Sequence, residues 1–284
     1  MENFDAMIES TTPSRPSKEE WAELKRQERD ELYACVDKTA AEVFSDPAKL
    51  AQYLNMQARL GRASANNALL AVAQRPDAKH LFTYDEWQER GRSLKRGEFR
   101  NAVKQFRQDK EYVRDDGTIA MGYNVERCYD LNQTFGKEYS GRSNLTMPMK
   151  SKIRGLLTNT SVPVKLSDEV QRNVGALYSE QDQMIYVARE LEGNALFFSI
   201  AREMARADGC ESTFLCSCAA SIACLRFGIQ PKYPDHIPED MTFLSAKDKR
   251  TLLGNVREAA YKISGRIDQN LYTERQQKKN EQQR

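Results

Sequence analysis

Two stretches of this 284-residue chain bring together side chains able to do chemistry. The first runs from Arg90 to Lys110. Its basic residues Arg90, Arg92, Lys95, Arg96, Arg100, Lys104, Arg107 and Lys110 are opposed only by Glu98 and Asp109. Neutralising phosphates with such a cluster releases counterions and gives affinity for nucleic acid without regard to its sequence. Arg59 and Arg62 extend the cluster, and Trp87, Phe106, Tyr112 and Tyr123 interleave with it. Rings beside a basic groove suit unpaired bases, each stack contributing about 1–3 kcal/mol. The structural alternative is a solvated basic face with Trp87 in the core. The second stretch is a helix expected over about 191–208. On it Ser199, Arg202, Glu203 and Arg206 follow the spacing i, i+3, i+4, i+7, opposite an apolar stripe of Phe197, Ile200, Ala201 and Met204. Taken alone, that pattern describes an ordinary amphipathic helix with a charged outer face.

Whole-chain quantities narrow the class but do not choose among partners. A formal net charge of +2 is close to neutral, so a nucleic-acid signal has to be local. Hydrophobic content of 40% and charged content of 30% fit a soluble protein with one or two ordinary cores. The acidic start Met-Glu-Asn-Phe-Asp-Ala has no apolar run of the signal-peptide kind. The longest nearly apolar stretch, 214–225, is well short of the roughly 18–20 residues a membrane span needs. We therefore expect a cytoplasmic protein with no membrane partner. In that setting Cys35, Cys128, Cys210, Cys216, Cys218 and Cys224 are expected as small buried thiols, not disulfides or metal ligands.

The elements that must position these residues are legible from caps and periodicity. Residues 1–17 are polar and carry Pro13 and Pro16, which predicts a disordered start. Ser17 with Glu20 forms a capping-box pattern. It opens a helix whose stripe is Trp21, Leu24, Leu32, Cys35, Val36 and Val43. Ser45-Asp46-Pro47 starts a second helix, ended by Gly61, and Ser64 starts a third, closed by Pro76. A short helix near Thr83–Arg90 carries Trp87. Strands over 102–113 and 118–131 flank the hairpin signal Asp115-Asp116-Gly117. A Gly/Ser/Asn-rich loop over 135–145 precedes a helix near 147–158 and short strands near 162–166, 174–178 and 183–187. Helices follow at about 191–208, 212–226 and 246–267, the last striped by Leu253, Val256, Ala260, Ile263 and Ile267. The polar tail Glu274–Arg284 is expected to be disordered.

Over roughly residues 20–134 the sequence resembles the ArdC-type antirestriction proteins of mobile elements. The resemblance rests on Asn67-Ala-Leu-Leu-Ala-Val-Ala-Gln74-Arg-Pro76, Tyr84-Asp-Glu-Trp87, Gly91-Arg92-Ser-Leu-Lys95-Arg96-Gly97-Glu98 and Tyr129-Asp130-Leu-Asn-Gln133-Thr134. It implies sequence-nonspecific binding of single-stranded DNA, with Asn67, Gln74, Trp87, Arg92, Lys95 and Arg96 at matching positions. Asn67 and Gln74 have the alternative of satisfying buried backbone groups. The strand 183–187, the helix after it, and a helix ending Leu225-Arg226-Phe227-Gly228-Ile229 are similar to the zincin-like C-terminal domain of ArdC and LtrC-like proteins. There the first helix carries His-Glu-x-x-His, a histidine pair on one metal with the glutamate as general base. Here those positions read Arg202-Glu203-Met204-Ala205-Arg206, and the third-ligand position falls at about Ser217. A guanidinium has no lone pair for a metal.

The expected fold is α+β, with an N-terminal helical domain bearing a β-hairpin and small antiparallel sheet and a zincin-like α+β C-terminal domain. The expected divisions are a disordered N-terminus at 1–17, a single-strand-binding domain at 18–134, a linker at 135–146, a degenerate zincin-like domain at 147–273 and a disordered tail at 274–284. The DNA contacts are placed at Arg59, Arg62, Asn67, Gln74, Trp87, Arg92, Lys95, Arg96, Arg100, Lys104, Arg107 and Tyr123, with no cofactor or metal. The leading expectation is a non-enzymatic single-stranded-DNA binder of a conjugative or mobile element, a pseudo-metallopeptidase that also contacts protein partners of that element. Two alternatives stand beside it, a residual metallopeptidase using Glu203 with an unconventional metal and a pure protein-interaction module.

Overall fold

The computed structural model describes residues 17–114, 116–139, 146–158 and 160–282. Helix α1 (Lys18–Val43) opens with Ser17 and Glu20 exchanging backbone hydrogen bonds, as the capping-box pattern requires. Asp46 caps α2 (Pro47–Leu60), with Pro47 in its first turn, and Ser64 caps α3 (Ala65–Gln74). Strand β1 (Leu81–Thr83) leads into α4 (Tyr84–Glu89), which carries a second capping box from Thr83 and Glu86. After β2 (Arg92–Leu94) and a 3-10 turn at Glu98–Arg100 come the two long strands β3 (Val103–Val113) and β4 (Ile119–Asp130). Strand β5 (Thr134–Gly136) then returns to pair with β2. The second half comprises α5 (Met149–Thr158), β6 (Val164–Ser167), β7 (Ala176–Ser179), β8 (Met184–Ala188), α6 (Gly193–Ala207), α7 (Thr213–Arg226), α8 (Glu239–Thr242) and α9 (Ala246–Gln282).

Among the described residues the strands form three small sheets, ordered β1-β4-β3, β2-β5 and β6-β8-β7. All pairings are antiparallel except β6 with β8. The molecule is α+β, as the sequence indicates. One apolar cluster runs through both halves, from Leu32 and Val36 on α1 to Ile267 and Leu271 on α9. Helix α7 is buried on nearly every side, through Leu215, Cys216, Cys218, Ala219, Ala220, Ile222, Ala223 and Cys224. An all-round apolar helix belongs at the centre of a core, and α2, α6 and α9 pack around it.

Each sheet leaves an outer strand whose backbone N–H and C=O groups need partners. On β3 they come from α3. Asn67 Nδ2 donates to the Phe106 carbonyl at 2.8 Å, and Asn67 Oδ1 accepts from the Phe106 N–H at 2.9 Å. Two helical turns on, Gln74 makes the same pair of bonds with Lys104, at 3.0 and 2.9 Å. Residues 104 and 106 point to the same edge because strand geometry repeats every second residue. The two amides therefore stand in for a neighbouring strand.

Several expectations change. Trp21 and Leu24 are exposed, so the buried stripe of α1 begins at Leu32. Residues 1–16 of the expected disordered start lie outside the described residues, while Ser17 is an ordered cap. The polar tail continues α9 to Gln282, since a run of Glu, Lys and Gln propagates a helix already started on a packed face. Residues 134–136 of the junction form a strand, and residues 140–145 lie outside the described residues. Strands β1, β2 and β5 and the short α8 carry too few residues for a periodic signal.

The edge clamp has a stability signature. Asn67→Ala leaves the buried Phe106 backbone groups without partners and is expected to lower unfolding stability by about 2–3 kcal/mol. Gln74→Ala, at a more exposed site, is expected to cost about 1 kcal/mol or less. Urea denaturation of the two variants checks the order, and an equal or reversed order contradicts the clamp.

Candidate nucleic-acid interface

The corner between α2 and α3 faces the β3–β4 hairpin across a groove of about 880 Å³. Its walls carry Arg59 and Arg62 from the corner, Arg107 from β3 and Arg257 from α9, with the rings of Tyr33, Phe82, Phe106 and Tyr123. Glu86 and Glu126 are the acidic residues on the same walls. What matters for an anion is which of the four arginines is already neutralised. Arg107 is, lying 3.1 Å from Glu86 and 4.0 Å from Glu126, and it donates to Cys128 Sγ as well. Arg59 donates to the carbonyls of Ala78 and Pro76, and Arg257 to those of Ala63 and Arg62. Neutral carbonyls fix a guanidinium without cancelling its charge. Arg62 is exposed, and among the described residues its guanidinium has no carboxylate partner. Three guanidinium groups without a carboxylate partner thus line the groove, and with Arg107 set against Glu86 and Glu126 the arginines exceed the glutamates by two charges. Tyr123 is 46% exposed and Tyr33 38%, and Tyr33 stacks on Phe106 with ring centres 4.6 Å apart.

The sequence-chosen DNA contacts separate into three sets. Arg59, Arg62, Asn67, Arg107 and Tyr123 line this groove, although Asn67 spends its amide on the β3 edge. Trp87, Arg92, Gln74 and Lys104 are structural. Trp87 is fully buried and donates its indole N–H to the Tyr129 carbonyl at 2.9 Å, which removes it as a stacking platform. Arg92 bonds Thr134 Oγ1, Thr134 O and the Lys137 carbonyl, tying β2 to β5. Gln74 completes the edge clamp, and Lys104 pairs with Glu28 of α1 at 2.9 Å. Lys95, Arg96 and Arg100 are exposed around Phe99, over which the Arg127 guanidinium sits at 5.6 Å, but they do not line the groove. The basic run of 90–110 and the aromatic residues therefore do not share one channel. Arg257, Tyr33, Phe82 and His80, also on the groove walls, were not singled out from sequence. Arg257 reaches the corner from 195 positions away in the chain, a separation that no local pattern encodes.

The Arg-Glu-x-x-Arg helix shows a second edge clamp. Glu203 is buried, accepting from Arg202 Nε at 2.7 Å and from the Tyr178 backbone N–H at 3.0 Å. Arg202 donates onward to the carbonyls of Ala176 and Val174 at 2.9 and 3.0 Å. The pair grips the outer edge of β7 as the amides grip β3. Gly175 lets the strand come this close: its φ is +81°, and a Cβ there would collide with Ser199 Oγ on α6. Arg206 is held by Thr213 Oγ1 at the start of α7, not by Asp208, which pairs with Arg266 and Ser161. Ser217 donates within its own helix to the Thr213 carbonyl. These residues do not fit a metal: the two arginines offer no lone pair, and both Glu203 oxygens are engaged. Among the described residues no group of three or more His, Cys, Asp or Glu side chains comes together as a metal site.

Removing one partner of a buried ion pair leaves the other charge stranded. Glu203→Ala is expected to cost about 3 kcal/mol of stability. In a double-mutant cycle with Arg202→Met, the combined loss is expected to fall short of the sum by about 1 kcal/mol or more. Additive losses contradict the coupling.

No protein-family model and no curated protein matches the sequence. Solved structures are similar. The Mn(II)-bound crystal structure of the antirestriction protein ArdC from plasmid R388 aligns at a TM-score of 0.50 and 14% identity, covering 78% of this chain and 97% of that one. The metal-free structure of the same protein aligns at 0.49 and 15% identity, covering 74% and 84%. The chain therefore shares the overall fold of the plasmid antirestriction protein ArdC.

Proposed function

We propose that this protein binds single-stranded DNA without sequence preference in the groove between the α2–α3 corner and the β3–β4 hairpin, in the setting of a mobile genetic element and its defence against restriction. The observation that carries the reading is the gathering of three arginines without carboxylate partners, Arg59, Arg62 and Arg257, with the exposed ring of Tyr123 and the partly exposed Tyr33 on one set of walls. Charges of this kind attract the phosphate backbone, and rings accept any base. The likeness in fold to an antirestriction protein supplies the biological setting.

In this reading the second half is a zincin-like scaffold without peptidase activity, with a unit at 18–134 that supplies most of the groove and a scaffold at 147–273 that adds Arg257 to it. Two observations support the loss of catalysis. Arginines, which offer no lone pair to a metal, replace the ligand histidines of the motif, and Arg202 is salt-bridged to Glu203. The backbone edge of β7 at residues 176 and 178 is occupied by Arg202 and Glu203, so an extended peptide has no free ladder to join there. A docking role toward protein partners of the element belongs to this scaffold.

Fluorescence anisotropy with oligo-dT tests the proposal. Affinity is expected to fall steeply with salt, and Arg62→Ala to weaken binding severalfold and flatten the log–log slope by about 0.7. Tyr123→Ala is expected to lose about 1–2 kcal/mol of binding free energy. Exchanging both Lys95 and Arg96 for alanine is expected to have a smaller effect than Arg62→Ala. A salt-independent signal, or a larger loss at Lys95 and Arg96, contradicts the groove. Stoichiometric transition metal in the purified protein contradicts the scaffold.

A further inference from the structure

Of the cysteines on and before α7, Cys216, Cys218 and Cys224 are buried. Cys210 differs. It lies half-buried in the connector from α6 to α7, on the wall of a cleft of about 680 Å³ that α8 and α9 also border. Cys216 lies in the first turn of α7, and its Sγ donates to the Cys210 carbonyl oxygen at 3.1 Å. The side chain of one cysteine is thereby held against the backbone of the other. The connector can place them so because Gly209 turns the chain at a φ of +98°. Cys210 borders the cleft, and Cys216 is buried in the core.

We propose that Cys210 and Cys216 are a reversible dithiol–disulfide pair, with Cys210 reacting first with hydrogen peroxide and Cys216 resolving the product. This site is independent of the DNA groove. The Cys210 thiolate attacks one peroxide oxygen, the O–O bond breaks, and the departing hydroxide takes up a proton to leave as water. Cys210 is then a sulfenic acid. The Cys216 sulfur attacks the Cys210 sulfur, the S–S bond forms as the S–O bond breaks, and the hydroxyl leaves as water with the Cys216 proton. Two thiols lose two electrons, and one peroxide becomes two waters.

Accessibility assigns the two roles, since Cys210 borders the cleft and Cys216 is buried. Interaction with Cys216, aided by the Ser212 backbone and the Arg206 guanidinium and against the effect of burial, holds the Cys210 thiol below its ordinary range. The same interaction together with burial pushes the Cys216 thiol up. A lowered, accessible thiol beside a protected one is the arrangement that favours attack on peroxide followed by closure. Cys218 and Cys224 are pushed up chiefly by burial, and neither borders the cleft.

Full-length reduced protein treated with hydrogen peroxide provides the test. The expected result is loss of two thiols per chain and of two mass units from the intact protein, restored by dithiothreitol. Cleavage after Glu211 separates the two cysteines, so the fragment bearing Cys210 is expected to stay joined until reduced to the fragment bearing Cys216, Cys218 and Cys224, with tandem mass spectrometry placing the link on Cys216. In Cys216→Ser, dimedone is expected to label Cys210, and in Cys210→Ser the fast thiol loss is expected to vanish. Oxidation of Cys35 ahead of Cys210, a link from Cys210 to another cysteine, or thiols that survive a peroxide excess overturns the proposal. The fragment map needs no variant, so it stands even if a substitution impairs folding.

Discussion

An outer β-strand cannot be left with its backbone polar groups half-covered by protein and closed to water. This molecule meets that constraint twice with side chains in place of a further strand. Asn67 and Gln74 of α3 hold residues 104 and 106 of β3. Arg202 and Glu203 of α6 hold residues 176 and 178 of β7 and Val174 just before it. Each clamp fixes a helix axis against a strand direction, and the positions of both candidate regions follow from those two fixtures.

The first clamp ends at Phe106. Beyond it β3 runs on toward the hairpin with its polar face unoccupied by α3, and the chain before α3 turns away through Arg62 and Ala63. The gap between them is the groove. Arg257 locks its floor from α9 by donating to the carbonyls of Arg62 and Ala63, so the two halves of the chain build it together. The second clamp acts in the opposite sense. It fills the β7 edge and commits both oxygens of the Glu203 carboxylate. One device leaves a groove open beside its strand, and its counterpart covers the strand edge it grips.

The helices and the long hairpin were readable because their signals are local: the Ser17–Glu20 box, Asp46-Pro47, Ser64 and the 102–131 alternation all name their own boundaries. The α+β class followed from them. The groove was legible only in part. Charge and ring type identify Arg59, Arg62, Arg107 and Tyr123, but not which guanidinium meets a carboxylate and which a carbonyl. Lys104 and Arg92 look alike in sequence to Arg62, yet one is paired with Glu28 and the other ties two strands. Trp87 reads as a ring near a basic run, and only the tertiary fold turns its indole toward Tyr129 O. The Arg202–Glu203 pair was visible as adjacent opposite charges, whereas its hold on β7 depends on the close approach that Gly175 permits.

The most direct measurement is ultraviolet cross-linking of the full-length protein to an oligonucleotide carrying 5-bromodeoxyuridine, with the attached peptides mapped by mass spectrometry. Adducts concentrated on Tyr33, Phe82 and Tyr123 are the expected result, since these rings share the groove with Arg62. Adducts on Phe99 or Phe135, which are exposed outside it, with none in the groove, would contradict the account.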